Sequence, residues 1–407
     1  MKNISRIFLP IILVGLLAIT GCGNPKISIE AKAAELSKGF GQEVAEAFEF
    51  TLSMRIGWNL GNSLDAHQHL TPNEVVWGNP RVTQELMNGV AAQGFGAVRI
   101  PVTWGNTIND RDNFSISERW MDRVEEVVGY VLNAGMKAII NIHHDGADSY
   151  FWLSVKNTDI VDPNKSAIDE KFTAVWRQIA QRFRDYDNRL IFEGFNELHD
   201  GSWGNGNAAQ HNRVNELNQI FVDTVRAAGG ENSNRYLLIH GWVTRPSVTV
   251  SSLVMPTDTV KSRIIVGIHF YDPFDFTLGA SQNKWGDKSN FGGWGNEPHI
   301  QREFRMVREA FVDKGIPIII GEYGAGNQAQ DRFVYRKYYM EYVTKAAFDN
   351  GFVCFYWDNG GFGAGREKSG LLKRSDGTTH DSAAAEILAV MMKAVNEDYL
   401  ISSIAAP

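Results

Sequence analysis

Two glutamates in the 407-residue sequence stand near the ends of short apolar runs, and the neighbouring runs also close on polar side chains. Glu197 ends residues 190–197 directly after Asn196, and Glu322 lies near the end of residues 316–323. Similar positions hold Arg99 in 97–102, Asn141, His143 and His144 in 137–144, His269 and Tyr271 in 264–271, and Trp357 and Asn359 at and just past the end of 352–358. A charged side chain in an apolar strand is costly unless it is paired, so these groups must meet one another. Gathered at one site they supply two carboxylates, imidazoles, amides, a phenol and an indole. Such a set suits acid–base and nucleophilic chemistry on a polyhydroxylated substrate better than acyl or phosphoryl transfer.

His143, His144 and Asp145 also invite a metal reading. Adjacent strand residues point to opposite faces, so the two imidazoles should not share an ion, and no metal or cofactor is expected. His269 and Tyr271, two apart, share a face. Of the eleven tryptophans, Trp58 and Trp357 fall in β-rich runs, and an indole offers a flat apolar surface with a polar edge. Trp152, Trp203, Trp285 and Trp294 fall in loops, where packing explains them equally well.

The elements that must position these residues read as βα units. Eight β-rich runs, 55–61, 97–102, 137–144, 190–197, 236–242, 264–271, 316–323 and 352–358, alternate with helical patterns such as 120–133, 171–183, 214–228, 299–314 and 332–349. Gly94, Gly135, Gly315 and Gly351 precede strands, as glycines that end helices do. Eight repeats in one unbroken stretch predict an α/β fold, a closed (β/α)8 TIM barrel forming a single domain, whose functional residues gather at the C-terminal strand ends. An open doubly wound sheet is the alternative, and it would expose two edges.

The segments Gly57-Trp58-Asn59-Leu60-Gly61-Asn62, Val98-Arg99-Ile100-Pro101, Asn141-Ile142-His143-His144-Asp145, Phe195-Asn196-Glu197, His269-Phe270-Tyr271, Gly321-Glu322-Tyr323-Gly324 and Trp357-Asp358-Asn359-Gly360 follow in order. Together they resemble glycoside hydrolase family 5, most of all its subfamily 4 of endoglucanases, lichenases and xyloglucanases. The resemblance implies a retaining endo-β-1,4-glucanase acting on cellulose, mixed-linkage glucan or xyloglucan by double displacement, without a cofactor. It makes Glu197 the proton donor and base and Glu322 the nucleophile, with Arg99, His143, Asn196, His269 and Tyr271 in support. Asn59, Trp58, His144, Trp357 and Asn359 become substrate contacts. Glu197 should carry the raised pKa, since Arg99 and Tyr271 keep Glu322 ionised. Leu198 departs from the pattern, which often has Pro after the acid. A mannanase or xylan-active relative would share the same set, and a non-catalytic glycan-binding lipoprotein would keep the barrel without turnover. A metal-dependent barrel hydrolase would use the histidines.

Lys2 and Arg6 precede an apolar stretch, residues 7–19, that is too short to span a bilayer comfortably and has the layout of an export signal. Ile19-Thr20-Gly21-Cys22 resembles the lipobox of bacterial lipoproteins, which makes Cys22 the lipidation site; a plain signal peptide is the alternative. The expected organisation is therefore a signal over 1–21, a short linker or leader helix over 22–45, the catalytic domain over 46–398 and a tail over 399–407. The protein is expected to be exported, anchored in a membrane only through Cys22 or else secreted, and monomeric, with a polysaccharide as its partner. A net charge of -7 without a basic run excludes the electrostatic footprint of a nucleic-acid binder. With one other cysteine, Cys354 in an apolar run, no disulfide framework forms.

Overall fold

The computed structural model describes residues 24–146, 151–155, 164–201, 203–279, 281–289, 294–327 and 332–407. Cys22 and the expected signal over 1–21 lie outside the described residues. Eight parallel strands form the centre: β1 (Ile56–Leu60), β2 (Ala97–Ile100), β3 (Lys137–Asn141), β4 (Leu190–Glu193), β5 (Leu237–His240), β6 (Ile264–Phe270), β7 (Ile318–Tyr323) and β8 (Phe352–Asp358). Each pairs with the next in sequence, and β8 returns to β1 with Ile56 opposite Cys354. The ring is closed and has no edge strand, so the open-sheet alternative falls.

The helices are α1 (Ile29–Leu36), α2 (Gln42–Leu52), α3 (Gln84–Ala92), α4 (Glu118–Asn133), α5 (Asn164–Arg182), α6 (Ala208–Ala227), α7 (Pro246–Ser252), the short α8 (Phe274–Thr277), α9 (Glu297–Ala310), α10 (Phe333–Asp349) and α11 (Ser382–Asn396). Side chains of Thr83, Asn207 and Asp381 cap α3, α6 and α11, and Gln210 completes a capping box with Asn207. The four glycines expected at helix ends all have positive φ, between 82° and 99°.

Several strands stop before the apolar run does. β3 ends at Asn141 rather than His144, and β4 at Glu193 rather than Glu197. Past those points isolated backbone bonds persist, His143 N–H to Val102 O at 2.8 Å and Asn196 N–H to Ile142 O at 2.9 Å, while the Val102 N–H after β2 donates to Asn141 Oδ1 at 3.1 Å. The stretch expected as one leader helix is two, α1 and α2, broken near Gly39, whose φ of +91° no longer suits a helix. Neither behaves as a linker. Leu36 packs at Gly351 and Val44 at Gly315, residues that lead into β8 and β7, so the pair closes the barrel end opposite the site. No described helix is long and apolar enough to cross a membrane.

Candidate active site

At the C-terminal end of the ring, β7 presents Glu322 and the turn after β4 presents Glu197. The pairing of β6 with β7 slips between Ile268 and His269, leaving Gly321 as the extra residue, so that His269 lies opposite Glu322. A side chain at Gly321 would bring its Cβ to 3.0 Å from His269 Nε2, which is why the extra residue has none. Glu197, His269 and Glu322 each offer one atom within 4.8 Å of the others. The two carboxyl groups are thus neighbours across the barrel mouth.

Each carboxyl has its own supports. Glu322 accepts from Arg99 Nη1 at 2.8 Å and from the Tyr271 hydroxyl at 3.1 Å. Glu197 Oε1 lies 2.6 Å from His269 Nδ1, with the Thr244 hydroxyl at 3.4 Å. Thr244 reaches it from a strained turn in which both Val243 and Thr244 have φ of 54°. Arg99, wholly buried, also grips Glu193 through Nε and Nη2, both at 2.7 Å, and holds Asn196 Oδ1 at 2.8 Å. With that oxygen occupied, Asn196 has its Nδ2 amide left to donate. Asn141 Nδ2 meets His143 Nδ1 at 3.1 Å, which puts the His143 proton on Nε2, 4.0 Å from Glu322 Oε1.

Electrostatics separate the two carboxyls. Burial raises the pKa of Glu197 against the opposing pull of Arg99, so it holds a proton at higher pH than an ordinary glutamate. Burial also lowers His269 to about 3 and drives His143 well below the usual imidazole range, so both rings are neutral donors or acceptors near neutral pH. Burial pushes the Tyr271 phenol up, helped by Glu322 and Glu197, which keeps its hydroxyl a donor. The arrangement offers one carboxyl inclined to keep a proton beside one fixed by a guanidinium and a phenol. That is the pairing a proton donor and a nucleophile need.

A family model described as cellulase (glycosyl hydrolase family 5) matches residues 61–363. The chain belongs to glycoside hydrolase family 5. Among relatives, it is 38% identical over 335 residues to endoglucanase A of Paenibacillus barcinonensis, covering 77% of this chain and 82% of the relative. It is 34% identical to a xyloglucan-specific endo-β-1,4-glucanase of Bacteroides ovatus, covering 93% and 78% of the two chains. A solved GH5-4 broad specificity endoglucanase from Bacteroides salanitronis superposes with a TM-score of 0.82 at 44% identity, covering 86% of this chain and 95% of that one.

In this family 5 barrel, Arg99, His143, Asn196, Glu197, His269, Tyr271 and Glu322 converge as the sequence led one to expect; three expected sugar contacts do not reach the cleft. Trp58 is fully enclosed, on the outer side of β1, with the Arg374 guanidinium 4.5 Å from its ring centre. Asn59 is also enclosed: its Nδ2 donates to the carbonyl oxygens of Gly321, Phe355 and Tyr356, and its Oδ1 accepts from Arg99. Asn359 holds its own loop, donating to Glu367 O and accepting from Gly361 N–H. Trp357 is partly exposed and lies parallel to His143, ring centres 5.9 Å apart. Gly61 makes room for its indole, since a Cβ there would stand 3.0 Å from the ring. Of the loop tryptophans, Trp285 is buried and Trp152 donates to Asp145, while Trp203 and Trp294 are 58% and 61% exposed.

Strand alternation does not separate the two histidines in this family 5 chain, because β3 ends before them. Their rings meet edge to face with centres 4.5 Å apart, and His144 Nε2 lies 3.6 Å from Asp65 Oδ2. Asp145 is engaged elsewhere, by the N–H groups of Trp104 and Gly105. Leu198, the departure from the family pattern, is buried against Gly146 and donates its N–H to Asn196 O at 3.1 Å, a bond proline could not make. The sequence reading missed Glu193 and His240, which bond to each other at 2.8 Å with no exposure. Both are ionisable groups inside apolar runs, the same signal that pointed to Arg99.

Proposed function

We propose that the protein is a retaining endo-β-1,4-glucanase that cleaves internal linkages of β-glucans, xyloglucan included, by double displacement. The convergence of Glu197 and Glu322, with one oxygen of each within 4.8 Å of the other, carries this reading, because retaining enzymes hold their carboxyl groups close, about 5–5.5 Å apart, whereas inverting ones leave room for a water. In the first step a Glu322 oxygen bonds to the anomeric carbon, the glycosidic C–O bond breaks, and the Glu197 proton passes to the departing oxygen. In the second, Glu197 takes a proton from water, the water oxygen bonds to the anomeric carbon, and the ester to Glu322 breaks. Asn196 Nδ2 is the donor for the sugar 2-hydroxyl, and Trp357 provides the floor under the ring.

The endoglucanase and xyloglucanase relatives support β-glucan over mannan or xylan as the substrate. The test is release of reducing ends from carboxymethylcellulose, barley glucan, xyloglucan, mannan and xylan side by side, with and without a chelator. Glucans should dominate and the chelator should change nothing; preference for mannan or xylan, or loss of activity on chelation, would overturn the assignment. The substitution Glu322→Gln should lower kcat by about 10³–10⁵-fold on every glucan cleaved.

A further inference from the structure

Beneath the two carboxyl groups lies a buried glutamate that the double displacement does not use. Glu193 ends β4 with no exposure and accepts from four donors on three other strands. Arg99 of β2 gives it two bonds of 2.7 Å, His240 of β5 one of 2.8 Å, and Asn141 of β3 one of 3.3 Å. Arg99 directs its third nitrogen, Nη1, to Glu322, and Asn141 orients His143, whose Nε2 also faces Glu322. The outer neighbour, His240, keeps its Nδ1 without a partner among the described residues, so Nε2 carries the proton that Glu193 accepts. Resting on the reading above, we propose that Glu193 is a positioning residue that fixes Arg99 and offsets its charge, so that Glu322 meets an oriented donor rather than a full counter-ion.

Two consequences of this geometry differ from mere support. A fork-to-fork contact allows the guanidinium one orientation, and that orientation puts Nη1 on Glu322 and Nη2 on Asn196 together. Glu193 also brings a second negative charge to the pocket. Burial alone would raise its pKa, but Arg99 and then His240 outweigh burial and hold it far below the ordinary range, so it stays ionised wherever the enzyme works. The groups facing this cluster are His143 after β3, Glu197 and His199 after β4, His240 from β5, His269 and Tyr271 at β6, and Glu322 from β7. Without the Glu193 charge, Arg99 becomes an uncompensated cation next to both reacting carboxyls. The ionised form of Glu197 is then favoured, so it loses its proton earlier, and Glu322, held by a stronger counter-ion, becomes a weaker nucleophile.

The experiment is the pH dependence of kcat/KM for a soluble glucan with the wild type, Glu193→Gln and His240→Phe, thermal unfolding confirming that each variant is folded. Glu193→Gln should lower kcat about 10–100-fold and move the alkaline limb of the profile, set by Glu197, to lower pH by on the order of one unit. His240→Phe keeps the charge and removes one donor, so its alkaline limb should stay or move slightly upward while kcat falls less. A folded Glu193→Gln whose alkaline limb coincides with the wild type assigns Glu193 a purely structural role and overturns the proposal. If that variant does not fold, a downward displacement in His240→Phe overturns it equally. A wild type that releases no reducing ends would instead fail the glucanase reading, a distinguishable outcome.

Discussion

Trp357 and Trp58 illustrate, at the level of single residues, how position on a strand separates binding from packing. Trp357 is partly open to the cleft, whereas Trp58 is sealed under Arg374. Trp58→Ala should therefore cost about 3–5 kcal/mol of stability, as large-to-small core changes do, while the folded fraction binds glucan normally. Trp357→Ala should leave the unfolding midpoint almost unchanged and lower kcat/KM by about tenfold or more. Thermal melts and kinetics on the two variants check this, and a reversal of the two patterns would show that the faces have been exchanged. Glu193 and His240 make the complementary point. They carried the same chemical signal as Arg99, an ionisable group in an apolar run, yet each sits among strand residues with no motif to draw attention to it.

The strands explain which parts of the site were legible in the sequence. Barrel closure follows from eight βα repeats and the need to bury every strand on both faces, and the convergence of polar groups follows from the cost of an unpaired charge. Which way β1 turns its side chains does not follow, because all five of its residues are buried and no alternation of polarity marks a face. Asn59 was consequently read as a sugar contact when it is a brace joining β1 to β7 and β8 and steadying Arg99. Asn59→Ala removes those bonds from the interior and should destabilise the fold by about 2–4 kcal/mol. It should also lower kcat with KM little changed, because the loss acts on Arg99 and Glu322 rather than on bound glucan. A rise in KM alone would restore Asn59 to the binding surface. β3 and β4 stop short of their apolar runs for a related reason: the hydrophobic pattern continues past the last regular ladder residue, where only isolated backbone bonds such as Asn196 N–H to Ile142 O remain.

For the molecule as a whole, the barrel holds at one end a set of buried charges that the remaining structure must keep in place. Glu197 shows the thermodynamic consequence. Its folded-state pKa is raised by burial, so its proton contributes stability that is fully present below the unfolded value and is lost as pH rises through the raised one. Glu197→Gln has no charge to bury at any pH. The midpoint difference between the variant and the wild type should accordingly be small near about pH 4 and grow in the variant's favour toward neutrality, by on the order of 1–2 °C. A difference that does not vary with pH would contradict the assigned direction. Everything rests on geometry: two carboxyl groups separated by more than a hundred positions in the chain flank one glycosidic bond, with Glu322 meeting the anomeric carbon directly and no water between them. The stereochemistry of the first product tests this most directly: proton NMR of a fresh cello-oligosaccharide digest should show the β-anomer accumulating before mutarotation, and initial formation of the α-anomer would contradict it.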